Sequence, residues 1–175
     1  TDCGISVDEK AFHAEWKAYY KKHTSSDCTF MTERDIFISR IQMFYHRYHV
    51  QRNAEHDADS LLATAFEREA YPETKTVLHK LMKDHEIFIG SNTDNDVLAS
   101  VMEKNNIPVH KVYTSENLKC YKPSSQFFTQ ILADNGLSAN EVLFVGDSIT
   151  DDIMGPKMIG MKTVWIDRNG VGGDF

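Results

Sequence analysis

From residue 72 onward the sequence alternates short apolar runs with stretches of helical periodicity, and this alternation constrains the fold more than any other feature. Ile87-Phe88-Ile89, Val142-Leu143-Phe144-Val145 and Thr163-Val164-Trp165-Ile166 carry almost no polar residue. A strand with one wet face alternates apolar and polar side chains, so runs of this kind point to strands of a parallel sheet covered on both faces. Between them, Val77, Leu78, Leu81 and Met82 recur at helical spacing, as do Val97, Leu98, Val101 and Met102, and then Phe127, Phe128, Ile131 and Leu132. Gly136 ends the last of these helices, a shorter extended piece lies near Val112-Tyr113, and Pro72 and Pro123 suit helix starts. The expected fold class is α/β, a Rossmann-like doubly wound parallel sheet.

Upstream of this region the pattern is helical only. Ser6 followed by Glu9 forms a capping-box signature ahead of Phe12, Trp16, Tyr19 and Tyr20, and a polar loop from His23 to Asp27 closes that helix. Thr32 with Asp35 opens a second helix bearing Phe37, Ile41, Phe44 and Tyr48, and Leu61, Leu62, Ala65 and Phe66 mark a third. The expected division is a small helical module over 5–71 and an α/β core over 72–175.

Charge and composition then narrow the function classes. Nineteen Lys+Arg against 26 Asp+Glu give a net charge of −7, with no basic block, which argues against a phosphate-backbone nucleic-acid binder. No run approaches the ~20 apolar residues of a membrane span, and no signal peptide opens the chain, so no membrane partner and a cytoplasmic setting are expected. Cys3, Cys28 and Cys120 are odd in number and widely spaced, which indicates neither a disulfide framework nor a zinc site. Nothing in the sequence fixes the oligomeric state.

In open α/β sheets ligands bind beyond the carboxyl ends of the strands. At the first such junction, Ile89-Gly90-Ser91-Asn92-Thr93-Asp94 brings a hydroxyl and backbone amides to a helix start, which suits an anion; the plainer reading is a set of helix caps. At the second, Gly146-Asp147-Ser148-Ile149-Thr150-Asp151-Asp152 gathers three carboxylates within six residues, a set that suits a hard cation such as Mg²⁺; a solvated turn is the plainer alternative. Lys122-Pro123 places a cation before another helix, where it can neutralise a phosphate or a carboxylate pair. His46, His49 and His56 read as a solvated face, and Cys120 as a buried thiol with no paired base.

In order and spacing, Ser91-Asn92, Lys122-Pro123, and Gly146-Asp147-Ser148 with Asp152 resemble the second, third and fourth motifs of the haloacid dehalogenase-like hydrolase superfamily. Gly155 and Gly160-Met161-Lys162-Thr163-Val164-Trp165-Ile166 are similar to the stretch after the fourth motif in its small-molecule phosphatases, and the helical module lies where that family inserts an α-helical cap. The resemblance implies Mg²⁺-dependent hydrolysis of small phosphorylated metabolites through an aspartyl-phosphate. By the same resemblance, Ser91 and Asn92 bind the phosphoryl group and Lys122 neutralises it. Asp147 binds the metal, and Asp152 and Asp151 hold the ion or its waters.

The family's first motif, a strand ending in Asp-x-Asp-Gly-Thr, has no counterpart here; Thr1-Asp2 resembles the residues usually found just after it. The expectation is that the native protein carries the nucleophilic Asp upstream of residue 1, and that 170–175 stops short of a final element. A non-catalytic phosphate- or metal-binding pseudoenzyme and a phosphomutase are the alternatives.

Overall fold

The computed structural model describes residues 8–25, 28–170 and 172. Ser6, Asp27, Thr1-Asp2, Cys3 and most of the C-terminal tail lie outside the described residues. The chain forms two compact units, one running to Lys119 and one beginning at Cys120.

The first unit opens with three helices, α1 (Glu9–His23), α2 (Glu33–Arg47) and α3 (Ala54–Phe66). Asp8 caps α1 by accepting from the Ala11 amide, so that helix starts on an aspartate two residues after the serine of the capping-box signature. Thr32 caps α2 by accepting from Asp35 N at 3.0 Å, as the Thr32/Asp35 spacing predicts. Ile41, Ala54 and Ala58 form the buried seam between α2 and α3, with Trp16, Phe37, Ile38 and Tyr45 packed against it. Edge-to-face contacts of Phe12 with Phe44 and of Trp16 with Phe37 hold α1 to α2. Arg40, nearly enclosed, reaches Glu15 on α1 at 3.1 Å.

The chain continues through α4 (Thr74–Leu81), β1 (Phe88–Ser91), α5 (Asn95–Asn105), β2 (Lys111–Thr114) and the short α6 (Ser115–Leu118). β1 and β2 pair in parallel, Phe88 opposite Lys111 through Ser91 opposite Thr114. The crossover through α5 is the βαβ unit that a parallel pair requires. The expected buried face of α4 is not realised: Val77 and Leu81 are exposed and Leu78 and Met82 half-buried, because nothing among the described residues covers that side. Leu61 on α3 is likewise exposed.

The second unit contains α7 (Ser125–Asn135), β3 (Leu143–Gly146), a π-helical segment Ile149–Met154, α8 (Gly155–Lys157) and β4 (Lys162–Trp165). β3 and β4 are again parallel, with Val145 opposite Val164. Phe127 and Phe128 of α7 are fully buried, and Phe128 meets Phe144 of β3 edge-on at 5.3 Å. One face of this strand pair is therefore covered; Leu143, Val145, Val164 and Ile166 on the other are exposed, where the apolar runs predicted cover on both sides. Gly136 ends α7 at φ 62°, the left-handed position that glycine occupies without steric cost. Pro123 precedes α7 rather than opening it: the Lys122-Pro123 bond is cis and Ser124 takes the cap position. No helix among the described residues is long and apolar enough to cross a membrane.

Candidate active site

The strands deliver the motif residues to their carboxyl ends. Ser91 closes β1, and its hydroxyl makes no hydrogen bond among the described residues, so it is available to a ligand. Two residues on, the Thr93 hydroxyl is enclosed, and the Thr93 carbonyl accepts from Ser115 Oγ at 3.1 Å. Asp94 stands at the cap position of α5 with extended backbone, yet its side chain does not cap that helix. Both of its oxygens instead accept from the start of α2, Oδ1 from Glu33 N at 2.8 Å and Oδ2 from Arg34 N at 2.9 Å. The first amide of α5, Asn95 N, is taken by Glu116 Oε2 at 2.7 Å. Burial lifts the Asp94 carboxyl above its usual range, opposed by the two amide donors. Burial also lifts Glu33, whose Oε1 accepts from Tyr20 OH at 2.6 Å.

In the second unit the arrangement centres on Asp152. Its Oδ1 accepts from Lys122 Nζ at 2.6 Å and its Oδ2 from Ser148 N at 3.0 Å. Lys122 also lies over the rings of Phe144 and Phe127, at 5.4 and 5.9 Å from their centroids. The Asp152 carboxylate and the two ring faces offset the desolvation of this enclosed cation. Gly146 makes the arrangement sterically possible, since a Cβ there would stand 2.4 Å from Asp152 Cβ, Cγ and Oδ2. Gly155 plays a similar part, because a Cβ there would fall 2.9 Å from Phe128 Cε2 and 3.0 Å from Pro123 Cβ.

Asp147 follows β3 directly. It is exposed, its carboxylate makes no hydrogen bond among the described residues, and its carbonyl accepts from Trp165 Nε1 at 3.1 Å. Ser148 caps the π-helical segment by accepting from Asp151 N at 3.2 Å. Burial pushes Asp151 up, with Lys122 opposing and Asp152 reinforcing the shift. Among the described residues no three His, Cys, Asp or Glu side chains gather closely enough to hold a metal ion. Mg²⁺ does not need such a cage, because it keeps several waters and takes one or two protein carboxylates. The solvated carboxylate of Asp147 suits that mode, whereas the oxygens of Asp152 already serve Lys122 and Ser148.

The structure therefore brings Lys122, Ser148, Asp151 and Asp152 together in one unit, while Ser91 and Asn92 belong to the other. The spacing of residues pointed to Asp152 as one of three carboxylates suited to Mg²⁺, and the structure pairs it with the Lys122 ammonium. The spacing did not point to Ser148 as the amide that orients it, nor to Asp94, whose partners lie 60 and 61 residues away.

Comparison with known proteins identifies the family. Residues 9–166 match the family model of haloacid dehalogenase-like hydrolases. The ribulose-1,5-bisphosphate 5-phosphatase of Halopiger xanaduensis is 32% identical over 99 residues, covering 55% of this chain and 41% of that protein. The (S)-2-haloacid dehalogenase 4A of Burkholderia cepacia is 28% identical over 115 residues, covering 64% of this chain and 49% of that protein. The chain thus spans less than half the length of either curated relative. In fold it is similar to the magnesium-bound HAD-hydrolase YfnB of Bacillus subtilis, with a TM-score of 0.71 at 18% identity, over 94% of this chain and 76% of that one.

Proposed function

We propose a Mg²⁺-dependent phosphatase reading for this chain, which belongs to the haloacid dehalogenase-like hydrolase family. The substrate is a small phosphorylated metabolite, hydrolysed through an aspartyl-phosphate. In this reading 5–71 is the cap and 72–175 the catalytic core. The observation that carries it is the exposed carboxylate of Asp147, one residue before the amide that orients Asp152 against the buried Lys122.

Each residue has a task set by its surroundings. Lys122, fixed by Asp152, presents a desolvated positive charge to the phosphoryl oxygens, where it stabilises the charge of the transfer step. Ser91 donates its hydroxyl to a phosphoryl oxygen, with the Asn92 amide beside it. Asp147 binds the metal, and Asp152 and Asp151 keep its surroundings in place. Bound there, Mg²⁺ would withdraw charge from the phosphoryl group.

The test is hydrolysis of a chromogenic phosphate ester by the native-length protein in Mg²⁺ or in EDTA. Turnover that needs Mg²⁺ and falls by about 10²-fold or more in Asp147→Ala and Lys122→Ala agrees with the proposal. Absence of turnover across a panel of phosphorylated metabolites overturns it. The relationship to the Burkholderia dehalogenase favours a second reading, halide release from a 2-haloacid, which the same protein preparation tests by chloride production without metal.

A further inference from the structure

We infer that Asp94 is a positioning residue that couples the Ser91-Asn92 loop to the helical module, so that an anion seated on that loop is felt at the first turn of α2. The inference rests on the reading of Ser91-Asn92 as the phosphoryl-binding loop.

An aspartate at the cap position of a helix ordinarily accepts from that helix's own first turn. Asp94 has the backbone for it, φ −80° and ψ 153°, but gives both oxygens to Glu33 N and Arg34 N, the first two amides of α2. The third, Asp35 N, goes to Thr32 Oγ1. The first three amides of α2 are thereby satisfied, two of them by a residue from the β1–α5 junction. The arrangement is a relay of caps, because α5 in turn receives Glu116 from α6.

The connection is stiff as well as close. Asp94 is 6% exposed and Thr93 2%, and the Thr93 carbonyl is tied to Ser115, which is fully buried. Only Asn92 and Thr93 separate Ser91 from Asp94, so a shift of the loop must be transmitted to the carboxylate. A buried carboxylate cannot leave its donors without a heavy desolvation cost, and the start of α2 must follow it. Glu33 moves with that turn, and Tyr20 OH holds its side chain.

The test uses amide hydrogen exchange and inorganic phosphate titration of the 175-residue chain, followed by NMR. The first amides of a helix normally exchange fast, so slowed exchange at Glu33 and Arg34 reports the Asp94 bonds directly. We expect Asp94→Ala to speed exchange at these two amides by about tenfold or more, while Thr32→Ala does so at Asp35 only. Phosphate should shift Ser91, Asn92, Glu33 and Arg34 in the parent chain, but only Ser91 and Asn92 in Asp94→Ala. Unchanged exchange at Glu33 and Arg34, or equal phosphate shifts there with and without Asp94, overturns the coupling. If Asp94→Ala does not fold, Asp94→Asn, which retains one acceptor oxygen, should speed exchange at one of the two amides, and no change at either overturns the proposal. Phosphate that shifts no residue of the parent chain, with exchange responding as expected, removes the anion-binding reading and the coupling built on it but leaves the cap.

Discussion

Lys122 and Asp152, thirty residues apart, meet at 2.6 Å with side chains only 10% and 8% exposed. Removing one partner of such a pair leaves the other charge buried and uncompensated. Lys122→Met or Asp152→Asn should each cost about 3–5 kcal/mol in urea denaturation, and the double variant Lys122→Met/Asp152→Leu less than the two single costs combined. Additive costs would mean that the two groups act independently.

Gly146→Ala should disturb the same pair from the other side. A methyl group 2.4 Å from three atoms of Asp152 forces the carboxylate away from Ser148 N, at about 1–3 kcal/mol. Gly155→Ala should be milder, since its contacts begin at 2.9 Å. Equal stability of the Gly146 variant and the parent would contradict the packing described.

The pH dependence of the helical module should have two limbs of opposite sign. The Arg52 guanidinium, aided by the Tyr45 hydroxyl, holds Asp57 well below the usual carboxylate range. Its contribution is present at neutral pH and fades as the pH falls below about 4. Glu33 is raised by burial, so it costs stability as the pH climbs through the ordinary glutamate range and beyond. Glu33→Gln keeps an acceptor for Tyr20 and should raise Tm near neutral pH, with the gain vanishing near pH ~4. Asp57→Asn should lower Tm near neutrality and flatten the acid limb.

Cys120 should be a poor nucleophile. Burial pushes its thiol up to about 11. At about pH 8 its thiolate fraction is roughly 100-fold below that of an ordinary thiol, and alkylation by iodoacetamide should be slower in proportion. Unfolding in urea should restore the ordinary rate, whereas fast labelling of the folded chain would place the thiol at the surface.

Much of the architecture was legible because local chemistry fixes it. The Thr32/Asp35 spacing gave the start of α2, Gly136 the end of α7, and the apolar runs gave β1, β3 and β4 to within two residues. The apolar runs could not reveal what covers a strand, which is why Leu143, Val145 and Val164 were expected inside and lie exposed. Pro123 fitted a first helical position by type, but the backbone turns before the helix begins. At the candidate site, the motif order singled out Ser91, Lys122 and Asp147 as candidates. The partnership of Asp94 with Glu33 and Arg34 left no trace in spacing, because it joins segments far apart in the chain and one of its halves is backbone.

A helical insert in an α/β core invites treatment as an interchangeable accessory that recombination can trade between relatives. The bonds of Asp94 limit that freedom. A foreign insert that offered no pair of amides at the same place would strand a buried carboxylate beside α5, and the host would bear the penalty rather than the graft. The smallest unit of this chain that can be exchanged intact is therefore α2 together with residue 94, and chimaeras that cross between them should need an apolar replacement at that position to fold.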